Sequence, residues 1–160
     1  MKIEILSAYD MQEEIVSLFS EYTDYLIKGD AVFAEYLKQQ KFDKELEDLS
    51  EKYGMPWGRL YLLRCDDKTA GCIALRKIDD NSCELKRLYI KPEFRGNGIS
   101  KTLVARIISD AKEIGYKYIL LDTLPFLKSA IQLYRSAGFY EIEKFNDSPM
   151  QGSLYMRYDL

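Results

Sequence analysis

Hydrophobic positions along this 160-residue chain recur with two different periods, and the switches between them mark out its elements. Lys2 to Leu6 alternates and reads as a strand. Met11, Ile15, Leu18, Phe19, Tyr22, Tyr25 and Leu26 then recur at helical spacing, with Ser7 or Asp10 as the N-cap and Gly29 as the stop. Ala31 to Gln40 and Phe42 to Lys52 predict two shorter helices, one gathering Phe33, Tyr36 and Leu37, the other Phe42, Leu46 and Leu49. The breakers Gly54, Pro56 and Gly58 close this helical part. Leu60 to Cys65, Gly71 to Ile78 and Cys83 to Ile90 predict three antiparallel strands, joined by turns at Asp66-Asp67-Lys68 and Asp79-Asp80-Asn81.

Ser100 to Ile114 returns to helical spacing, with Leu103, Ile107, Ala111 and Ile114 inward and Gly115 placed for a left-handed cap. Tyr118 to Asp122 is apolar until its last residue, the pattern of a strand covered on both faces. Pro125 suits the first turn of a further helix that ends before Gly138, and Phe139 to Glu143 and Ser153 to Tyr158 predict a final pair of strands. The fold class is α+β, a single mixed, mostly antiparallel sheet flanked by helices. With no repeat, linker or low-complexity tract, residues 1–160 read as one domain. A chain of this length buries about 70% of its unfolded surface, enough for one core.

Hydrophobic content of 47% with 31% charge is that of an ordinary globular chain, and no apolar run nears the roughly 20 residues of a membrane helix. Met1-Lys2-Ile3-Glu4 has an acid where a secretory signal is basic and then apolar, so the expected compartment is cytoplasmic, with no membrane partner. Cys65, Cys72 and Cys83 are odd in number and form no C-x-x-C pair, which suggests buried thiols rather than a disulfide framework or a metal site. There is no histidine, so no Ser-His-Asp or Cys-His machinery exists, and proton transfer falls to a carboxylate, tyrosine, lysine, thiol or water. A net charge of −3 argues against nucleic acid as a partner. Its distribution says more: twelve acidic against five basic residues between Asp10 and Lys52, eight basic against three acidic between Lys86 and Lys117.

The basic stretch contains Arg95-Gly96-Asn97-Gly98-Ile99-Ser100, a glycine loop between a strand and a helix. Glycines there allow positive φ and close approach to a ligand, while free N–H groups and the helix dipole favour an anion. Arg95 adds a positive fork. A dinucleotide fingerprint is excluded because Lys101 stands where its third glycine belongs, and no Walker loop is present. The remaining pattern is R-x-x-G-x-S, fixed by Arg95, Gly98 and Ser100.

That pattern resembles the R/Q-x-x-G-x-G/A signature of the GNAT superfamily of acyl-CoA-dependent N-acetyltransferases, and the resemblance runs from Cys83 to Ile142. Glu84 to Ile90 looks like the family's fourth strand, Lys91-Pro92-Glu93-Phe94 like the lead into its loop, and Ala130 to Phe139 like its A-x-x-L-Y-x-x-x-G-F motif. The resemblance implies a GNAT-like fold in which parallel strands four and five splay apart. It implies acetyl-CoA as co-substrate, no metal, and acetyl transfer to a primary amine by direct attack in a ternary complex. The cofactor would lie on the main chain of Leu88, Tyr89 and Ile90, on the cradle Arg95, Gly96, Asn97, Gly98, Ile99 and Ser100, and near Thr123. Tyr134 matches the catalytic tyrosine and would protonate the leaving thiolate, its phenol having an ordinary pKa of about 10. Glu84 matches a carboxylate base found in some relatives, acting directly or through water; a surface residue paired across the strand is the other reading. Two departures stand out: Ser100 replaces a small Gly or Ala, and Leu127 replaces an asparagine that bonds the cofactor arm, leaving Asp122 and Thr123 as the nearest polar substitutes.

In this family the acceptor pocket is built from the N-terminal helices and the last hairpin. Tyr22 and Tyr25 with Glu21 are the candidates here, among further aromatics (Tyr36, Tyr53, Trp57) and acids (Asp24, Asp30, Glu35), and such groups suit a small cationic amine. A protein or peptide N-terminus as acceptor, a non-catalytic acyl-CoA-binding module, and a homodimer stay open.

Overall fold

The computed structural model describes residues 1–160. The strands are β1 (Ile3–Ser7), β2 (Arg59–Cys65), β3 (Lys68–Lys77), β4 (Ser82–Ile90), β5 (Tyr118–Thr123), β6 (Tyr140–Ile142) and β7 (Leu154–Asp159). The helices are α1 (Gln12–Gly29), α2 (Phe33–Gln39), α3 (Phe42–Glu47), α4 (Leu49–Tyr53), α5 (Ile99–Ile114) and α6 (Lys128–Ala137). The strands form one sheet in the order β1-β2-β3-β4-β5-β7-β6, antiparallel except where β4 meets β5. This is the mixed sheet expected from the alternating stretches.

Side chains alternate across the sheet, so each central strand feeds two cores. On one face Leu63, Ile73, Leu75 and Leu85 pack under Leu103, Val104 and Ile107 of α5. On the other, Leu60, Leu62, Cys72 and Ala74 pack under Ile15, Leu18 and Phe19 of α1 and Tyr53 of α4. A third cluster, with Leu26, Phe33, Leu37, Leu124 and Met150, ties α1 and α2 to the end of β5. All three cysteines are free and fully buried.

Two irregularities shape the centre. β4 and β5 pair only over Ser82–Glu84 and Tyr118–Leu120, and beyond that point the two strands part. β4 also carries a bulge: Lys86 lies opposite Ala74 and Tyr89 opposite Cys72, so Arg87 and Leu88 share the one residue Ile73. Arg87 takes a positive φ of 61° there. The extra residue turns Lys86 and Arg87, consecutive in the chain, onto the same face of the sheet, where both reach Gln40.

Three boundaries and one burial pattern differ from the sequence pattern. The helix expected over Phe42 to Lys52 is broken at Asp48, which is extended (φ −142°, ψ 88°). In an unbroken helix residues 45 and 53 would stand about 12 Å apart along the axis; the break lets Tyr53 Oη donate to Glu45 Oε2 at 2.9 Å. α1 starts at Gln12 after a turn closed by Met11 N–H on Ala8 O, so neither Ser7 nor Asp10 caps it. Pro125 precedes α6 rather than opening it, because a turn from Leu124 to Leu127 sends both leucines inward. β5 is fully covered on one face only: Ile119, Leu121 and Thr123 are buried, while Tyr118, Leu120 and Asp122 are half-buried.

Candidate active site

The parting of β4 and β5 opens a cavity of about 500 Å³ that runs from the start of α5 through the sheet plane to α2. At one end lies the glycine loop. Gly96 (φ 86°) and Gly98 (φ 71°) are both left-handed, and an added Cβ at either would meet no atom within 4 Å, so the glycines answer to backbone conformation and to space left for a ligand. None of the main-chain amides from Gly96 to Lys101 donates to an acceptor in the protein; the first bond of the helix is Thr102 N–H to Gly98 O. No acidic residue lies in the first turn of α5. Six adjacent donors, the helix dipole and nearby Lys101 and Lys128 make this end an anion cradle.

Arg95 is less free than its motif position suggests. Its Nε donates to Ile90 O at 2.9 Å and its guanidinium sits 5.6 Å from the ring centres of both Tyr25 and Tyr89. The arginine thus pins the loop to β4 and α1, with only its terminal nitrogens left for phosphate. Asn97 bonds its own loop, Nδ2 to Phe94 O at 3.2 Å, and, unlike its neighbours Gly96 and Gly98, does not line the cavity.

Tyr134 lines the middle of the cavity with its ring edge-on to Phe139. Burial above all, with Tyr22 and Asp122 nearby, pushes its pKa well above that of an ordinary phenol. Tyr134 therefore stays protonated throughout the neutral range and can act there as a proton donor only. Leu88, Tyr89, Ile90 and Thr123 line the same stretch, where the edge of β4 has lost its strand partner.

The far end is walled by side chains. Asp122, at the tip of β5, accepts from Tyr36 Oη and from Asn146 Nδ2, the latter at 3.1 Å, and Asn146 Oδ1 accepts from Tyr155 Oη at 3.0 Å. Gln39 Nε2 donates to Asp147 O at 2.9 Å, so the segment between β6 and β7 is fastened over α2 and encloses this end. Arg87 is buried and doubly paired with Glu45, Nε to Oε2 at 3.0 Å and Nη2 to Oε1 at 2.9 Å, with the Phe42 ring 5.2 Å away. Burial works to raise the Glu45 carboxyl, but Arg87 and then Lys52 outweigh it and hold it at about 2. Lys86 lines the cavity and donates to Gln40 Oε1 at 2.8 Å; burial lowers it to about 8. Asp122 is the one carboxylate of the cavity wall, against Lys86, Arg87, Arg95, Lys101 and Lys128.

The expected residues divide accordingly. The cavity gathers Tyr134, Thr123, Leu88, Tyr89, Ile90, Arg95, Gly96, Gly98, Ile99, Ser100, Tyr22 and Tyr25. Glu84 is not among them. It is 2% exposed, directly across the sheet from Arg76, and bonded to Arg76 Nε at 2.7 Å, a buried version of the cross-strand pair expected as its alternative role. Glu21 is exposed on the outer side of α1, 4.0 Å from Lys91, and does not reach the wall. Asp24, Asp30, Glu35, Tyr53 and Trp57 stand outside it too. Lys86, Gln40 and Asn146 were not singled out by sequence pattern; the adjacent pair Lys86-Arg87 in an otherwise apolar strand was the available sign, since a regular strand would bury one of two such neighbours on each face. Burial lifts the Cys83 thiol to about 12 and the Cys72 thiol further, so neither is a nucleophile at neutral pH. No group of three or more His, Cys, Asp or Glu residues is placed to hold a metal ion, and no helix is long and apolar enough to cross a membrane.

A seven-stranded sheet parted between its two parallel strands, with an anion cradle at the following helix, defines the class of protein. The chain belongs to the acetyltransferase (GNAT) family, whose model matches residues 16–139, and is an acetyltransferase. It is 31% identical to an uncharacterized N-acetyltransferase of Dictyostelium discoideum over 93% of this chain and 94% of that one. It is 37% identical to an uncharacterized N-acetyltransferase of Schizosaccharomyces pombe over 79% of this chain and 83% of that protein. Among solved structures, the PaiA N-acetyltransferase of Thermoplasma acidophilum in complex with coenzyme A superposes over 100% of both chains with a TM-score of 0.75 at 22% identity.

Proposed function

We propose that the chain moves the acetyl group of acetyl-CoA onto a primary amine of a small molecule, by direct attack within a ternary complex. One observation carries this: the six consecutive main-chain amides without a protein acceptor, Gly96 to Lys101, belong to a loop that, Asn97 apart, lines the same cavity as the buried phenol of Tyr134. The residues fit the cofactor end to end. The amides and the terminal nitrogens of Arg95 would hold the pyrophosphate, the edge of Leu88, Tyr89 and Ile90 left unpaired towards β5 would offer main chain to the pantetheine amides, and Thr123 lines the same stretch. The bound cofactor supplies an acetyl group already activated as a thioester.

The chain's own groups then have definite tasks. As a neutral amine nitrogen forms the new C–N bond and the C–S bond breaks, Tyr134 Oη gives its proton to the departing sulfur. The amine gives up one proton in the same reaction, so the exchange balances once the phenol is reprotonated. Tyr22 supplies aromatic wall on the acceptor side, whereas Tyr25 stands against Arg95 at the cradle end, and Asp122, held by Tyr36 and Asn146, is the carboxylate able to orient the ammonium before it loses its proton. The enclosed far end supports a small acceptor over a polypeptide.

The test is thiol release from acetyl-CoA across a panel of primary amines, with calorimetry of coenzyme A alongside. The expected result is micromolar affinity for coenzyme A and thiol release matched by acetylated amine. No affinity, or affinity with no amine-dependent release from any amine, overturns the proposal.

A further inference from the structure

Lys86 is a buried cation without a carboxylate of its own. It is 9% exposed, and its one hydrogen bond goes to Gln40 Oε1, which also accepts from Arg87 Nη2 at 2.9 Å. Every carboxylate whose field reaches it is engaged elsewhere. Glu84 is bonded to Arg76, Glu45 to Arg87, Lys52 and Tyr53, and Asp122 to Tyr36 and Asn146. An ammonium has three donors, and a buried charge left without an opposite one is unfavourable. The bulge at Arg87 is what turns this ammonium to the cavity beside a guanidinium that is already neutralised.

We infer that the acceptor is an amine that also carries a carboxylate, its anion meeting Lys86 and its amino group directed by Asp122 towards Tyr134. This rests on the proposed acetyl transfer and names the substrate class of that same site. A plain cationic amine would add a second positive charge beside Lys86 and leave the ammonium unmet. A dianion such as a phosphate ester is less well matched, because a single uncompensated cation stands there with Asp122 close by. A free carboxylate supplies one negative charge and two acceptor oxygens, which is what the spare donors of Lys86 can take.

The experiment compares α-, β- and γ-amino acids with their decarboxylated partners, for instance phenylalanine with phenethylamine and leucine with 3-methylbutylamine, at saturating acetyl-CoA. In the native protein kcat/KM should favour the carboxylated member by about tenfold to a hundredfold, the range of a charge-assisted hydrogen bond. Lys86→Met should collapse that ratio by about tenfold or more, chiefly through KM, and Lys86→Arg should restore part of it. Coenzyme A titration of each variant shows that it is folded. Turnover of the decarboxylated amines alone, or an unchanged ratio in Lys86→Met, overturns the inference and leaves acetyl transfer standing. Absence of turnover with every amine instead overturns acetyl transfer itself.

Discussion

The two ends of the cavity present different kinds of group to a ligand. At the α5 end the grip is main chain: amides of one six-residue run, set by two left-handed glycines and pinned by Arg95 to Ile90 O. At the α2 end it is side chain: Tyr36 from one helix, Gln40 beyond it, Lys86 and Arg87 from the bulge, Asp122 from β5 and Asn146 from the last loop. A main-chain site serves a group shared by every acyl-CoA. A side-chain site can be retuned one residue at a time, so specificity belongs at that end.

Tyr134 stands where the two ends meet, and its loss should have the largest effect. A phenol kept protonated by burial and placed on the cavity wall predicts that Tyr134→Phe lowers kcat about a hundredfold or more at saturating acceptor, as removal of a general acid does. Wild-type turnover in that variant would mean the sulfur leaves without help from either end, or takes its proton from water.

Next comes a change that separates the ends by stability. Glu45 is 3% exposed and is the sole carboxylate on buried Arg87, so Glu45→Gln strands a guanidinium and should cost about 3–5 kcal/mol in urea unfolding. The sign with pH follows. The folded carboxyl, held at about 2, lies below its ordinary value of 4.5, so the pair's contribution is fully present above about 4.5 and is lost as pH falls towards 2. The native protein should lose stability through that window more steeply than Glu45→Gln, whose own side chain does not titrate.

The same contrast explains what the sequence could tell. The cradle was legible because its parts are adjacent: Arg95, Gly98 and Ser100 keep fixed distances whatever the rest of the chain does. Element types were legible for the same local reason, as Leu103, Ile107 and Ala111 repeat every four residues and Leu60 to Leu63 form a short apolar run ahead of the Asp66-Asp67 turn. The α2 end was not. Residues 36, 86, 122 and 146 are brought together by sheet order and by the bulge, and neither has a signature in any short window. The acidic count of the N-terminal helices misled for this reason: Glu21, Asp24, Asp30 and Glu35 share a segment with Tyr22 and Tyr36 but not the cavity wall. The break at Asp48 was hidden likewise, since it answers to Arg87, some forty residues away.

A smaller effect should appear at the main-chain end. At Gly98 an added Cβ meets nothing within 4 Å, so Gly98→Val acts through its φ of 71° alone. Holding an L-residue there is unfavourable by about 1–2 kcal/mol, more for a β-branched one. The loop should relax away from the left-handed region and turn its amides out of line, weakening coenzyme A by about tenfold or more in calorimetry. Unchanged affinity would mean that the amides of Gly96 to Lys101 are not the anion site.

The smallest effect is expected at Glu84, and it sharpens the boundary between the two ends. Its carboxylate is bonded to Arg76, which is one-third exposed and can turn to water, so Glu84→Gln should shift stability by no more than about 1 kcal/mol. Because Glu84 lies off the cavity wall while Asp122 lies on it, kcat/KM should be nearly unchanged in Glu84→Gln and should fall about tenfold or more in Asp122→Asn. If kcat/KM falls with Glu84 instead, water must relay its charge past Lys86 into the cavity, and the carboxylate that serves the amine belongs to β4 rather than to β5.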